Sequence, residues 1–440
     1  MKQLPKVFRD SRLISESLWV IGGQSAAALI GLFGIRILTE LAPREIFGEA
    51  TLFLGMIILG RNVFVAPIAN AQLRFYPEYL AGGRLRPFLE SIGKLSWKAS
   101  LLCLAVFSAL YSLWRMQGET RYKPLLLFAL LIYLLSDTYR NLRINRANSE
   151  RRQRLCAMWI ATEALFMFSF SSLLLLRWVS SEAYIIGQAV GCLFVAFVYG
   201  VIFYPAGLCD LNVIERKTSD DLLKKIFHYG LPFVPMAVIA WAYSVGDRYL
   251  LVAFTNVSDV GQYVAIFSIG SRPFIMLSTV LTSILRPILF DAESIHDSEK
   301  AREIMRIWLF ASLIFSSLGV LLFCKFARFF STILLSKEYR IGAPKLLVWT
   351  AVGYAIYSLI QALENGLFGK GESKRVILPQ VLNTVLFLLL ALLLIPKFGM
   401  LGAVQAKTIG FALQFFVTLV VFYRSRIRPP HLPIMELGCK

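Results

Sequence analysis

Twelve apolar runs, most of them long enough to cross a bilayer, divide this chain. They fall at 16–39, 46–69, 95–115, 123–139, 155–177, 182–204, 227–254, 259–285, 307–324, 346–368, 376–396 and 399–423. A hydrocarbon core needs about 20 apolar residues per helix. Backbone N–H and C=O groups find no water there, so each run must satisfy them internally, as a helix does. The pattern therefore dictates an all-α polytopic membrane protein. Composition agrees where it can decide: 57% of the 440 residues are hydrophobic and 17% are charged, against roughly 25% charged in a soluble average. Twelve spans use about 240 residues, which leaves short loops and two tails. Disorder, an ordinary soluble enzyme and a large soluble domain are all excluded. Two segments sit at the margin: 123–139 is short for a span, and the amphipathic 326–340 suits the interface better than a crossing.

The formal net charge is +19, from 46 Lys+Arg against 27 Asp+Glu. In a soluble chain this would suggest nucleic acid. In a membrane protein, cytoplasmic loops collect Lys and Arg. With the N-terminus placed in the cytoplasm, thirty of the 46 fall on cytoplasmic segments and eleven on outer ones. Both termini are thus expected in the cytoplasm. The run Arg140, Arg143, Arg146, Arg151, Arg152, Arg154 becomes a topogenic loop near anionic lipid, not a nucleic-acid patch. The outer loop 325–345, with five basic residues, breaks the rule. The first span is too long for a signal-peptide core and is expected to be retained.

Cysteines 103, 156, 192, 209, 324 and 439 form no CxxC pair, and His228, His296 and His431 lie far apart. No metal, disulfide or cofactor is expected. A weak internal repeat pairs Arg36…Phe47-Gly48-Glu49…Arg61 with Arg248…Val260-Gly261-Gln262…Arg272. Each glycine opens the second helix of a hairpin. This suggests two parallel six-helix halves, 1–210 and 211–440, with a substrate site between them.

A charge at the middle of a membrane helix is costly and needs a partner or a wet cavity. Arg61 and Arg272 are so placed. On the span 259–285, Ser268, Arg272, Thr279, Ser283 and Arg286 share one face at 100° per residue, opposite Tyr263, Phe267, Phe274, Leu277 and Leu281. That face reads as pore-lining, and Pro273 marks a point where the helix can bend. Thinner polar stripes run through Thr350, Tyr357, Gln361 and Glu364, and through Lys407, Gln414 and Thr418. Arg61 has no polar companion on its own helix face. Arg36 and Arg248 lie near outer ends, where long side chains snorkel. The span-associated acids are Asp137, Glu163, Asp247 and Glu364. Each qualifies as an H+ or Na+ coupling position. Bases outnumber acids, which favours a cationic cavity for an anionic cargo.

Several motifs carry a family resemblance. His228-Tyr-Gly-Leu-Pro-Phe-Val-Pro235, Gly246-Asp-Arg-Tyr-Leu-Leu251 and Val260-Gly-Gln-Tyr263 resemble the start of the second half of bacterial polysaccharide transporters. Leu73-Arg-Phe-Tyr-Pro-Glu78 and Leu394-Ile-Pro-Lys-Phe-Gly-Met-Leu-Gly-Ala403 are similar to the same family. These are the O-antigen and exopolysaccharide flippases of the multidrug/oligosaccharidyl-lipid/polysaccharide exporter (MOP) superfamily, and the resemblance spans essentially the whole chain.

The resemblance implies a MATE-like fold of twelve helices in two bundles around a central cavity, in the bacterial cytoplasmic membrane. It implies alternating access, no enzymatic step and an undecaprenyl-pyrophosphate-linked oligosaccharide as cargo. A polysaccharide polymerase and a chain-length regulator are partners it suggests. It also implies cavity arginines at Arg36, Arg61 and Arg272. Lys407, Ser268 and Thr279 join them as substrate-binding candidates from the stripes. Three other readings stand beside this one: a multidrug or cation antiporter of the same fold, a membrane enzyme, and a non-transporting scaffold. The antiporter needs acidic cavity residues. A polymerase needs a large outer loop and an acyl transferase a membrane histidine. A scaffold has no use for the intramembrane arginines.

Overall fold

The computed structural model describes residues 11–427 apart from 117–123, 151, 204–217, 232, 296 and 373. The chain runs through α1 (Ser11–Leu41), α2 (Arg44–Gly60), a π-helical turn (Arg61–Val65), α3 (Ala66–Ala81), α4 (Leu85–Met116), α5 (Pro124–Ser149), α6 (Gln153–Arg177) and α7 (Ser181–Phe203). It continues through α8 (Thr218–Gly230), α9 (Phe233–Phe254), α10 (Val257–Ser294), α11 (Ser298–Leu334), a 3-10 turn (Lys337–Arg340), α12 (Ala343–Gly369), α13 (Lys374–Phe398) and α14 (Met400–Ile427). Twelve helices among the described residues are long and apolar enough to span a membrane, the short run now within α5 included.

The apolar runs lie on helices, and several helices extend beyond their runs. α10 extends to Ser294 and α11 begins at Ser298, each well past its apolar run. Hydropathy ends where the hydrocarbon ends, whereas a helix ends at its cap. Asn256 caps α10 by accepting from the Asp259 amide at 2.8 Å, and Asp297 caps α11 by accepting from the Lys300 amide at 3.0 Å. The run 227–254 is broken between α8 and α9, so its first residues belong to α8. The expected segment 326–340 begins where the helix axis kinks. α11 continues to Leu334 across a kink at Phe326 (φ −116°, ψ 17°), and only Lys337–Arg340 is a separate turn. Pro273 and Pro287 lie inside α10 without ending it.

The π-helical turn has a local cause. Pro67 has no N–H to offer the carbonyl of Val63, and its ring crowds that carbonyl. The ladder widens by one residue and Ala66 N–H reaches the Arg61 carbonyl instead. α2 and α3 thereby continue as one rod of 38 residues.

α1, α5, α6 and α7 pack together as one bundle, with α2 against α7 and α3 and α4 against α5, and α9, α10, α11, α12, α13 and α14 as another. The first-to-second boundary expected at 210/211 lies outside the described residues. α8 packs on α3 and α4, placing Leu222 and Ile226 against Phe75, Phe88 and Ile92. Lys225 holds Glu78 at 2.6 Å there. The exterior is apolar where lipid must lie: Phe310, Leu321 and Phe416 are each more than 60% exposed.

The bundles close on each other at the side away from α8. Tyr339 is fully buried and donates to the Ala42 carbonyl at 2.9 Å. Burial raises its phenol above the ordinary range, so it stays a donor. Gln262 donates to the Tyr339 and Ile341 carbonyls at 3.2 and 2.5 Å and accepts from Arg44 at 3.0 Å. The Ser336 amide donates to the Thr39 hydroxyl at 3.2 Å. Phe47 stacks edge-on against Tyr184 and Tyr339. Gly48 of α2 meets Gly261 of α10 in this seam.

Candidate functional site

Between the seam and the α8 side lies a cavity of about 390 Å³. Its polar lining consists of neutral groups on both bundles. Asn62 comes from the π-helical turn and Asn70 from α3. Tyr243 lies on α9, Tyr357 and Gln361 on α12, Gln380, Asn383 and Thr384 on α13, and Gln414 on α14. The lining positions of α9 and α13 fall in the halves of those helices nearer α8.

A buried carboxylate orders these amides. Glu364 is 2% exposed. It accepts from the side-chain amides of Gln414 at 3.0 Å, Gln380 at 3.2 Å and Gln361 at 3.3 Å. Gln414 in turn accepts from Asn383 at 2.8 Å. A carboxylate only accepts, so all three glutamines must turn their NH2 groups toward it. Gln361 and Gln380 each keep a carbonyl oxygen and one amide N–H for other partners. The wall therefore offers donors and acceptors together and suits a cargo that has both.

The charged residues expected to line a cavity lie elsewhere. Arg272 packs its guanidinium onto Gly31 of α1, in the space a side chain there would fill. Lys407 is buried and paired with Asp247 at 2.5 Å, with its ammonium over the rings of Phe267 and Phe387. Asp247 also accepts from Tyr263 at 2.5 Å. Asp247 and Arg248, neighbours in sequence, are thus not an exposed couple: the carboxylate faces inward to another helix. Thr279 and Ser283 return their hydroxyls to α10 carbonyls, at 2.9 and 2.8 Å. Ser268 is half-buried on α10. Arg36 pairs with Glu40 one turn on, at 2.5 Å. None of Arg36, Arg61, Arg272, Lys407, Ser268 and Thr279 lines the amide cavity. The polar residues of this cavity carry no formal charge.

Arg61 is the nearest exception. It was expected to stand alone, but partners reach it from a neighbouring helix and from its own turn. It contacts Asp137 of α5 at 3.5 Å and donates to the Asn62 side chain at 3.2 and 3.3 Å. Asp137 also accepts from Asn141 at 3.0 Å, while Arg140 holds Glu163 at 2.9 Å. Asp137 and Glu163 are therefore both committed to basic partners. Charge attracted the sequence reading, which passed over Asn62, Asn70, Tyr243, Gln380, Asn383 and Thr384. Their signal was present as amides inside apolar spans, Gln380 and Asn383 one turn apart. Among the described residues no His/Cys/Asp/Glu group is arranged to hold a metal ion.

No protein-family model matches this chain, and no curated protein matches it in sequence. Solved structures match its fold. The lipid II flippase MurJ, in an inward closed conformation, superposes with a TM-score of 0.72 at 13% identity, over 94% of this chain and 88% of MurJ. An inward-facing multidrug resistance MATE family transporter of the MOP superfamily gives 0.67 at 14% identity, over 92% and 94%. A MOP superfamily transporter from Pyrococcus furiosus, described as having a binding pocket of reverse polarity, gives 0.60 at 14%, over 94% and 95%. The architecture is the all-α, twelve-span fold of MATE- and MurJ-type transporters, a multi-pass membrane protein.

Proposed function

We propose that this protein is an alternating-access transporter that carries the saccharide part of a lipid-linked oligosaccharide across the bacterial cytoplasmic membrane. The observation that carries the reading is the neutral cavity of amides and tyrosines, closed on one side by the seam and lying toward α8 on the other. Sugar hydroxyls both donate and accept, and a wall of amides and phenols meets both needs without a formal charge. The polyprenyl tail stays in lipid. The bundles α1–α7 and α9–α14 rock as units and release cargo when the seam opens. With both termini cytoplasmic, as the Lys and Arg distribution favours, the cavity faces the cytoplasm.

A second reading, a MATE-type drug or cation antiporter, has specific support. Several of the similar solved structures are MATE transporters. Glu364, held beside the cavity by amides and with no cationic partner among the described residues, would serve such a carrier as its charge for H+ or Na+. The neutral lining takes away the reason to prefer an anionic cargo on charge alone.

One experiment separates the two. A flippase-null strain making the cognate glycan receives wild type, Gln380→Leu, Gln414→Leu, Glu364→Gln or Arg272→Ala, with protein level checked. Surface glycan, accumulated lipid-linked precursor and resistance to cationic drugs are read together. The flippase reading expects wild type to restore glycan, both glutamine variants to fail and Arg272→Ala to retain most function. Drug resistance that depends on Glu364, without glycan rescue, would overturn it in favour of the antiporter.

A further inference from the structure

The basic residues of the outer loop 325–345 need a cause, because the usual asymmetry of Lys and Arg puts them on the wrong side. One is structural. Arg340 donates to the carbonyls of Leu335 at 3.0 Å and Thr332 at 2.7 Å, and so caps the end of α11. Lys337 is exposed on the 3-10 turn. The other three converge. Lys325 and Arg328, either side of the α11 kink at Phe326, and Lys345, in the first turn of α12, line one recess of about 520 Å³ with Trp349 and Val348.

No ion pair joins any of the three to a carboxylate among the described residues. Lys325 makes only a cation–π contact, 5.6 Å from the Phe326 ring. Three like charges in one recess repel each other until an anion enters. The recess stands at the seam end of α11. Just below it the apolar run ends at Cys324, and Leu321 and Leu322 are exposed on the side where lipid lies. Trp349 is 37% exposed, at the level where indoles favour the membrane interface. Charge, aromatic belt and apolar flank thus stack in the order of a lipid: headgroup, glycerol, chains.

We propose that Lys325, Arg328 and Lys345 bind the phosphate of an anionic phospholipid in the leaflet on the seam side, with its chains along α11. Under the charge-derived orientation this is the outer leaflet. The site is separate from the amide cavity and does not depend on what that cavity carries. Arg328 supplies a fork for two phosphate oxygens, and the lysines supply point charges that reach from either helix. A lipid so held ties the end of α11 to the start of α12, next to the seam.

The test is native mass spectrometry of purified protein in a lipid-retaining detergent with equal phosphatidylglycerol and phosphatidylcholine. Wild type is expected to hold one more tightly bound phosphatidylglycerol than Lys325→Gln/Arg328→Gln/Lys345→Gln, with affinity for that lipid about tenfold lower in Lys345→Gln alone. Lys337→Gln, on the same loop but outside the recess, is expected to match wild type. Equal retention by wild type and the triple variant overturns the site. If the triple variant does not fold, an unchanged affinity in Lys345→Gln overturns it equally. Inorganic phosphate is the second arm. If millimolar phosphate displaces the bound lipid completely, the ligand is the free ion and the lipid assignment fails.

Discussion

Gly48 and Gly261 pack backbone against backbone, and they do so reciprocally. A Cβ on Gly48 would lie 2.9 Å from the Gly261 nitrogen, and one on Gly261 would lie 2.8 Å from the Gly48 nitrogen. The next neighbours mirror each other as well: Gly48 faces the Val257 carbonyl and Gly261 faces the Arg44 carbonyl, four residues ahead of each glycine. Mutual contacts of this kind are what a two-fold axis through the contact produces. The glycines that a weak sequence repeat paired are also the ones that touch.

Any side chain at this crossing must push α2 and α10 apart. Gly48→Val is expected to cost ~1–3 kcal/mol through overpacking and to loosen the seam. Spin labels at Glu45 and Asp259, each in the first turn of its helix, should report longer and broader distances in the variant than in wild type. An unchanged distribution would show that the seam tolerates bulk and that glycine is not needed for closure.

The Asp247–Lys407 pair is 1% and 4% exposed at its two side chains. Asp247→Asn strands an ammonium between aromatic rings, and about 3–5 kcal/mol of stability should go with it. Asp247→Asn/Lys407→Met removes both charges and should recover most of the loss. Thermal unfolding of the three proteins in one detergent checks the order. A double variant less stable than the single would mean the pair itself stabilises the bundle.

Glu364→Gln replaces an acceptor by a group that both donates and accepts. One of the three glutamines then loses its reason to face inward. Transport should fall about tenfold, the equivalent of one or two neutral hydrogen bonds at ~1 kcal/mol each, while the fold survives. Parallel measurement of cargo rescue and unfolding midpoint tells a disordered lining from a destabilised bundle.

Arg61→Ala should affect function more than stability. The Arg61 side chain is 30% exposed and its contact with Asp137 is long, at 3.5 Å, so the pair contributes at most ~1 kcal/mol. Its other contacts hold Asn62 at the cavity wall. Reduced transport with a near-normal unfolding midpoint is the expected outcome. A normal rate would assign Arg61 to the Asp137 network alone.

Much of this architecture was legible because the bilayer imposes it. Twelve apolar runs must be helices, and the short run 123–139 is a span because α5 carries it on through Arg140 and Arg143 to Ser149. The helix ends were not legible from hydropathy, since Asn256 and Asp297 set them from outside the apolar windows. The site was legible only in part. Tyr357, Gln361 and Gln414 lie on stripes that the helical period revealed, and all three line the cavity. The arginines and Lys407 were ambiguous in the sequence, because an intramembrane charge announces a partner without saying whether that partner is cargo or protein. Asp247 sits 160 residues from Lys407 and Asp137 sits 76 from Arg61. Pairings over such separations leave no local trace.

The position of the glycine crossing gives the molecule leverage. Gly261 lies four residues from the start of α10, a helix of 38 residues. With a fulcrum there, the long arm of α10 reaches ~50 Å at 1.5 Å per residue, so tilting by roughly 10° sweeps its far end through about 9 Å. A gap of that width can open at the α8 face while the crossing itself stays shut.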